Sequence, residues 1–131
     1  MKERVAGANF TFTVTALIEG IWFGLALLLI PGVFYQLAFA AEIGLIESYL
    51  FRSIGIMALA LAIGCWYART GDKPEVKLMS LIMIIAKAGS TIVLIAMMAA
   101  AAALPIGYLN PIFTAFLAIL NIRQYISVSS K

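Results

Sequence analysis

The stretch "LIMIIAKAGSTIVLI", Leu81 to Ile95, is apolar almost throughout yet carries a lysine, Lys87, near its middle. It belongs to a longer apolar run, Leu78 to Leu104, ended by Pro105 and Gly107. About 20 such residues suffice for a helix to cross the ~30 Å hydrocarbon core of a bilayer, so this longer run is expected to tilt. Three other runs share its character. Phe12–Ile30 is stopped by Pro31-Gly32, Tyr49–Ala68 ends at Arg69, and Pro111–Ile126 opens on a proline suited to a first helical turn. The sequence therefore predicts an all-α, four-helix transmembrane bundle built as a single domain over residues 1–131.

Composition points the same way. Of 131 residues, 64% are hydrophobic and 11% charged, whereas a soluble domain carries about 25% charged residues. This chain has too few polar groups to cover a globule in water, so lipid is its expected solvent. It has no histidine and one cysteine, Cys65. That excludes an internal disulfide, the usual haem ligand, and zinc or iron–sulfur cages. No metal, no cofactor and no catalytic residue is expected. The net charge of +3 comes from lysines and arginines in the connections and gives no reason to expect a nucleic-acid partner.

Charge also predicts direction. With four spans, Lys2, Arg4, Arg69, Lys73, Lys77, Arg123 and Lys131 fall on one side, and the other side has only Arg52, beside Glu42 and Glu47. The positive-inside rule then puts both termini in the cytoplasm, in the cell (plasma or inner) membrane. The first outer connection, "PGVFYQLAFAAEIGLIES", is too apolar for a free loop and reads as a short interfacial helix with Tyr35 at headgroup depth. Trp66 and Tyr67 stand where an inner aromatic belt belongs, and Arg52 and Arg123 read as interfacial anchors.

In lipid, helices associate where small residues let backbones approach. Span one offers Ala16, Gly20 and Gly24; span two offers Ala60, Gly64 and Ala68, with Gly55 as a further contact. Span three has Gly89 and five alanines, Ala99 to Ala103, a stripe suited to docking a partner.

Counting about 1.5 Å per residue places Glu19 about 10–12 Å into span one and Lys87 about 13–14 Å into span three. Asn121 lies slightly shallower in span four. The expectation is one intramembrane layer in which Glu19 and Lys87 form an ion pair and Asn121 bonds to it. A lysine in mid-bilayer is roughly 2.5–3.5 kcal/mol unfavourable on insertion scales, and an opposite charge offsets much of that. Snorkelling of Lys87 to the cytoplasmic interface is the alternative. Thr11, Thr15 and Glu19 share one face; Ser80, Lys87, Ser90 and Thr91 a second; Thr114, Asn121, Gln124 and Tyr125 a third.

"ESYLFRSIGIMALALAIGCWYAR", Glu47 to Arg69, resembles the DoxX-like group of small four-helix membrane proteins. In that pattern an arginine opens span two and a glycine follows three residues on, here Arg52 and Gly55. The resemblance covers residues 17–69 and implies a fold and a membrane location. Glu19, in "ALIEGIWFG", is also similar to the span-one acid of small multidrug exporters, which lack a lysine opposite it.

Three functions follow as expectations. The first is a non-catalytic accessory or structural subunit of a larger membrane protein complex, packing through its small-residue faces. The second is a small oligomeric transporter or flippase using the Glu19/Lys87/Asn121 layer, which requires a polar, water-accessible cavity between spans one, three and four. The third, by the DoxX-like resemblance alone, is a component of a quinone- or lipid-reactive oxidoreductase. The expected partners are the lipid bilayer and other membrane-protein subunits or further copies of the chain.

Overall fold

In the computed structural model, which describes residues 4–101 and 103–130, the chain is all-α, with no strand among the described residues. Helix α1 is Ala8–Leu29, α2 is the short Pro31–Phe39, α3 is Leu45–Ala68 and α4 is Lys73–Ala101. A 3-10 turn, Pro105–Tyr108, leads into α5, Leu109–Ser129. α1, α3, α4 and the segment Pro105–Ser129 have 22, 24, 29 and 25 residues, and each is long and apolar enough to cross a membrane. Lys2 and Lys131 of the charge count, and Ala102 of the alanine run, lie outside the described residues.

Each long helix starts before its apolar run does, because hydropathy does not register a polar first turn. α4 shows the physical reason. Asp72 N–H donates to Glu75 Oε2 at 2.9 Å and Glu75 N–H donates to Asp72 Oδ1 at 3.1 Å. This reciprocal capping satisfies donors that the first turn would otherwise leave orphaned. At its other end the α4 backbone has turned away by Leu104, whose N–H donates to Ala38 O at 2.9 Å. A side chain on Gly107 would put its Cβ 2.7 Å from that same carbonyl, so the turn closes on α2 only with glycine there.

α1 holds a feature that hydropathy does not reveal: Ile18–Leu25 is π-helical. Its buried residues include Thr11, Thr15, Glu19, Phe23 and Leu27, spaced by four throughout. In a 3.6-residue helix such a stripe drifts by about 40° per step. The wider i→i+5 turn of the π segment takes up that drift, so Glu19, Phe23 and Leu27 keep facing inward.

The helices pack closely as two pairs, α1 with α3 and α4 with α5, and only lightly between α3 and α4. The first pair closes on small residues. A Cβ on Gly55 would lie 2.7 Å from Leu28 N and 2.8 Å from Gly24 O, so the two backbones nearly touch there. Gly20 faces Ala62, and Gly24 faces Leu59. The predicted set needs one correction: Ala60 is exposed and faces away from α1. The contacting stripe on α3 is Gly55, Ala58, Ala62, Cys65 and Ala68, while Gly64 turns towards Met79 of α4. Two interleaved small-residue stripes run along α3, and composition does not say which one faces inward.

Two apolar clusters result. One, at the end with the first turn of α1, joins Ala8, Phe12 and Ala16 to Cys65, Ala68, Val76, Met83 and Val128. The other, at the opposite end, gathers Phe23, Leu27 and Ala58 with Trp22, Phe34, Phe51 and Phe113. α2 closes over this second cluster: Phe34 lies 5.7 Å from Trp22, and Tyr35 lies 4.9 Å from Phe39 and 5.7 Å from Phe51, centroid to centroid.

Candidate functional site: a buried ion pair below an apolar cavity

Between the two clusters α1 and α4 bring their charges together. Lys87 Nζ lies 2.5 Å from Glu19 Oε2, and both side chains are buried. The ammonium also stands 5.0 Å from the centre of the Phe23 ring, at cation–π range. Lys87 therefore points into the protein, and the snorkelling geometry is not the one adopted.

Asn121 is buried but does not join the pair, which corrects the predicted three-member layer. Its Nδ2 donates to Thr15 Oγ1 at 3.1 Å and to Leu117 O at 2.8 Å, one helical turn nearer the chain termini. Its Oδ1 has no hydrogen-bond partner among the described residues. The depths counted along straight α-helices were close, but a full turn separates Thr15 from Glu19.

The polar residues instead form a seam running the length of the molecule. Thr11 Oγ1 lies 3.2 Å from Gln124 Oε1, and Gln124 Nε2 donates to Ala6 O at 3.2 Å. Thr15 and Asn121 come next, then the Glu19–Lys87 pair. Beyond it Thr91 Oγ1 lies 2.7 Å from both Lys87 O and Thr114 Oγ1. The seam ends where Trp22 Nε1 donates to Asn110 Oδ1 at 2.8 Å. Polar groups held away from water must find partners inside the protein, and this seam supplies most of them. Ser80 Oγ, which is buried, has no partner among the described residues. The Trp22–Asn110 bond escaped sequence reading because Asn110 stands next to Pro111 and looks like part of a connection. Its signal was a lone amide between two apolar runs.

A cavity of about 400 Å³ opens directly beside the ion pair. Glu19 and Lys87 line it, with Ser90, Asn110 and Thr114 as its other polar residues; the remaining wall is aliphatic, aromatic and methionine side chains from α1, α2, α3 and α4.

The anchors are placed as follows. Arg52 Nη1 donates to Leu28 O at 3.0 Å; a cation there suits the C-terminal end of α1 and its unpaired carbonyls. The Arg69 guanidinium stacks 3.9 Å from the Trp66 ring centre, and Trp66, Tyr67 and Arg123 face outward. No group of three or more metal-ligating side chains occurs among the described residues. Comparison with protein families, curated proteins and solved structures finds no match for this chain.

Proposed function

We propose that this protein is a non-catalytic accessory subunit of a larger membrane complex, its four helices crossing the cell membrane with both termini cytoplasmic. The distribution of small residues carries the reading. Those of α1 and α3 are largely spent inside the molecule, whereas α4 presents Gly89, Ala96 and Ala100 outward at i, i+7 and i+11. A Cβ on Gly89 would meet nothing within 4 Å. In lipid such a face is where another helix can approach closely, and no described residue covers it at Gly89. Arg69, Lys73, Lys77 and Arg123 lie towards the cytoplasmic end in this orientation. The DoxX-like resemblance of Glu47–Arg69 is consistent with the architecture and contributes nothing on activity.

The test is mild-detergent extraction from native membranes, followed by a native gel and mass spectrometry of whatever travels with the chain. Co-migration with a larger complex in fixed stoichiometry, lost on Gly89→Leu, supports the proposal. Migration as a monomer or small homo-oligomer counts against it. That outcome would favour a transporter or flippase, a reading supported by the cavity that reaches Glu19 and Lys87, although its lining is mostly apolar.

A further inference from the structure

The cavity is too large to be a packing defect. Protein interiors leave few voids larger than a water molecule, and about 400 Å³ falls within the ~300–1,000 Å³ range of small-molecule sites. Its mouth can be located from the exposed residues in its lining: Ile54 and Met57 on α3, 50% and 67% exposed, and Val93 on α4, 58% exposed. All three are apolar and stand on two neighbouring helices that pack only lightly against each other. The cavity therefore opens sideways, towards the surroundings of the helices. Beneath its floor Phe12, Cys65 and Met83 are fully buried, and the polar seam continues towards the chain termini only as buried, mutually bonded side chains, Thr15 with Asn121 and Thr11 with Gln124.

The interior has two unlike sides. α3 contributes Ile54, Met57, Ala58 and Leu61, all apolar; α4 and α5 contribute Lys87, Ser90, Asn110 and Thr114. Lys87 Nζ carries three donors. Glu19 is its ionic partner, and no hydrogen bond from Nζ to any other described residue is made. The adjacent Ser90 hydroxyl likewise has no described partner. The floor thus offers hydrogen bonds but little net charge, because Glu19 already balances Lys87.

We infer that this cavity takes up a neutral amphiphile from the bilayer through the α3–α4 opening, its hydroxyl or carbonyl head bonded at Lys87 and Ser90 and its apolar body against α3. A carboxylate or phosphate head would bring an uncompensated charge into a site whose own charges are paired, at a large desolvation cost. A neutral head adds hydrogen bonds without that cost. The inference is independent of whether the chain is a subunit, since it concerns only what its interior holds.

The probes are a diazirine-bearing dodecanol and the matching dodecanoic acid, each photolysed with the purified protein in phosphatidylcholine nanodiscs, with adducts mapped by mass spectrometry. Dodecanol is expected to label cavity residues, Met97 and Leu94 on α4 and Leu61 on α3, at least tenfold above lipid-facing Ile92 and Ile119. Excess unlabelled dodecanol is expected to compete. Ala86→Phe, which fills the cavity and leaves the ion pair in place, should cut that labelling about tenfold. Met57→Trp fills its exposed mouth from the opposite wall and serves if the first variant folds poorly. Even labelling of all lipid-facing helices, labelling untouched by either filling variant, or dodecanoic acid labelling as strongly as the alcohol would each overturn the proposal.

Discussion

Replacing Lys87 with methionine tests the centre of the structure. The change keeps an unbranched, flexible side chain one atom shorter and removes its charge, leaving the Glu19 carboxylate buried without its counter-ion. At 2.5 Å, with an effective dielectric of about 20, the two charges attract by about 7 kcal/mol. Taking them both out of water costs several kcal/mol each, so the pair as a whole contributes little net stability. Losing one member is a different matter, and typically destabilises by about 3–5 kcal/mol. Lys87→Met and Glu19→Leu should each cost that much. The double variant should be far milder than the sum, within about 2 kcal/mol of the parent, because no charge is stranded. A double-mutant cycle therefore predicts a coupling of several kcal/mol. Reversible unfolding in detergent micelles, followed by tryptophan fluorescence, measures all four corners. Trp22 packs against Phe34 and Phe113 near the opposite end and reports loss of that packing. A loss below about 1 kcal/mol for Lys87→Met, with no coupling to Glu19, would mean that Lys87 reaches the interface instead, and would refute the pairing.

Other substitutions separate the remaining contacts. Gly55→Leu must push α3 away from Leu28 N and Gly24 O and should cost about 1–3 kcal/mol by overpacking. Ala60→Leu faces outward and should stay within about 0.5 kcal/mol, as the same unfolding assay would register. Asn110→Ala strands the Trp22 indole N–H, with an expected loss of about 1–3 kcal/mol and a shift in tryptophan emission. Asn121→Leu removes an amide whose Oδ1 is already unpartnered; intramembrane hydrogen bonds average about 0.6 kcal/mol, so it should prove much milder than Lys87→Met by chemical denaturation. Gly89→Leu meets open space and should leave the unfolding midpoint unchanged, so that any lost assembly on a native gel comes from the outer face.

That the chain is helical, and how many long apolar helices it makes, is legible in its residues alone. Hydropathy over about 20 residues is a local, additive property, and proline, glycine and charges mark its limits. The sequence also pointed to Glu19 and Lys87 as a pair, because depth along a helix follows from residue count and two opposite charges buried in an apolar interior gain strongly by meeting. Rotation about each helix axis is not additive in that way. One residue of phase decides whether Ala60 or Ala62 faces α1, and the π-helical turn at Ile18–Leu25 changes that phase where no composition signal marks it. Asn121 shares a layer by counting but meets Thr15, because hydrogen bonds need the right turn as well as the right depth. The cavity is further still from the sequence. It exists because α3 and α4 each pack better against another helix than against one another, and only the assembled tertiary structure decides which helices stand apart.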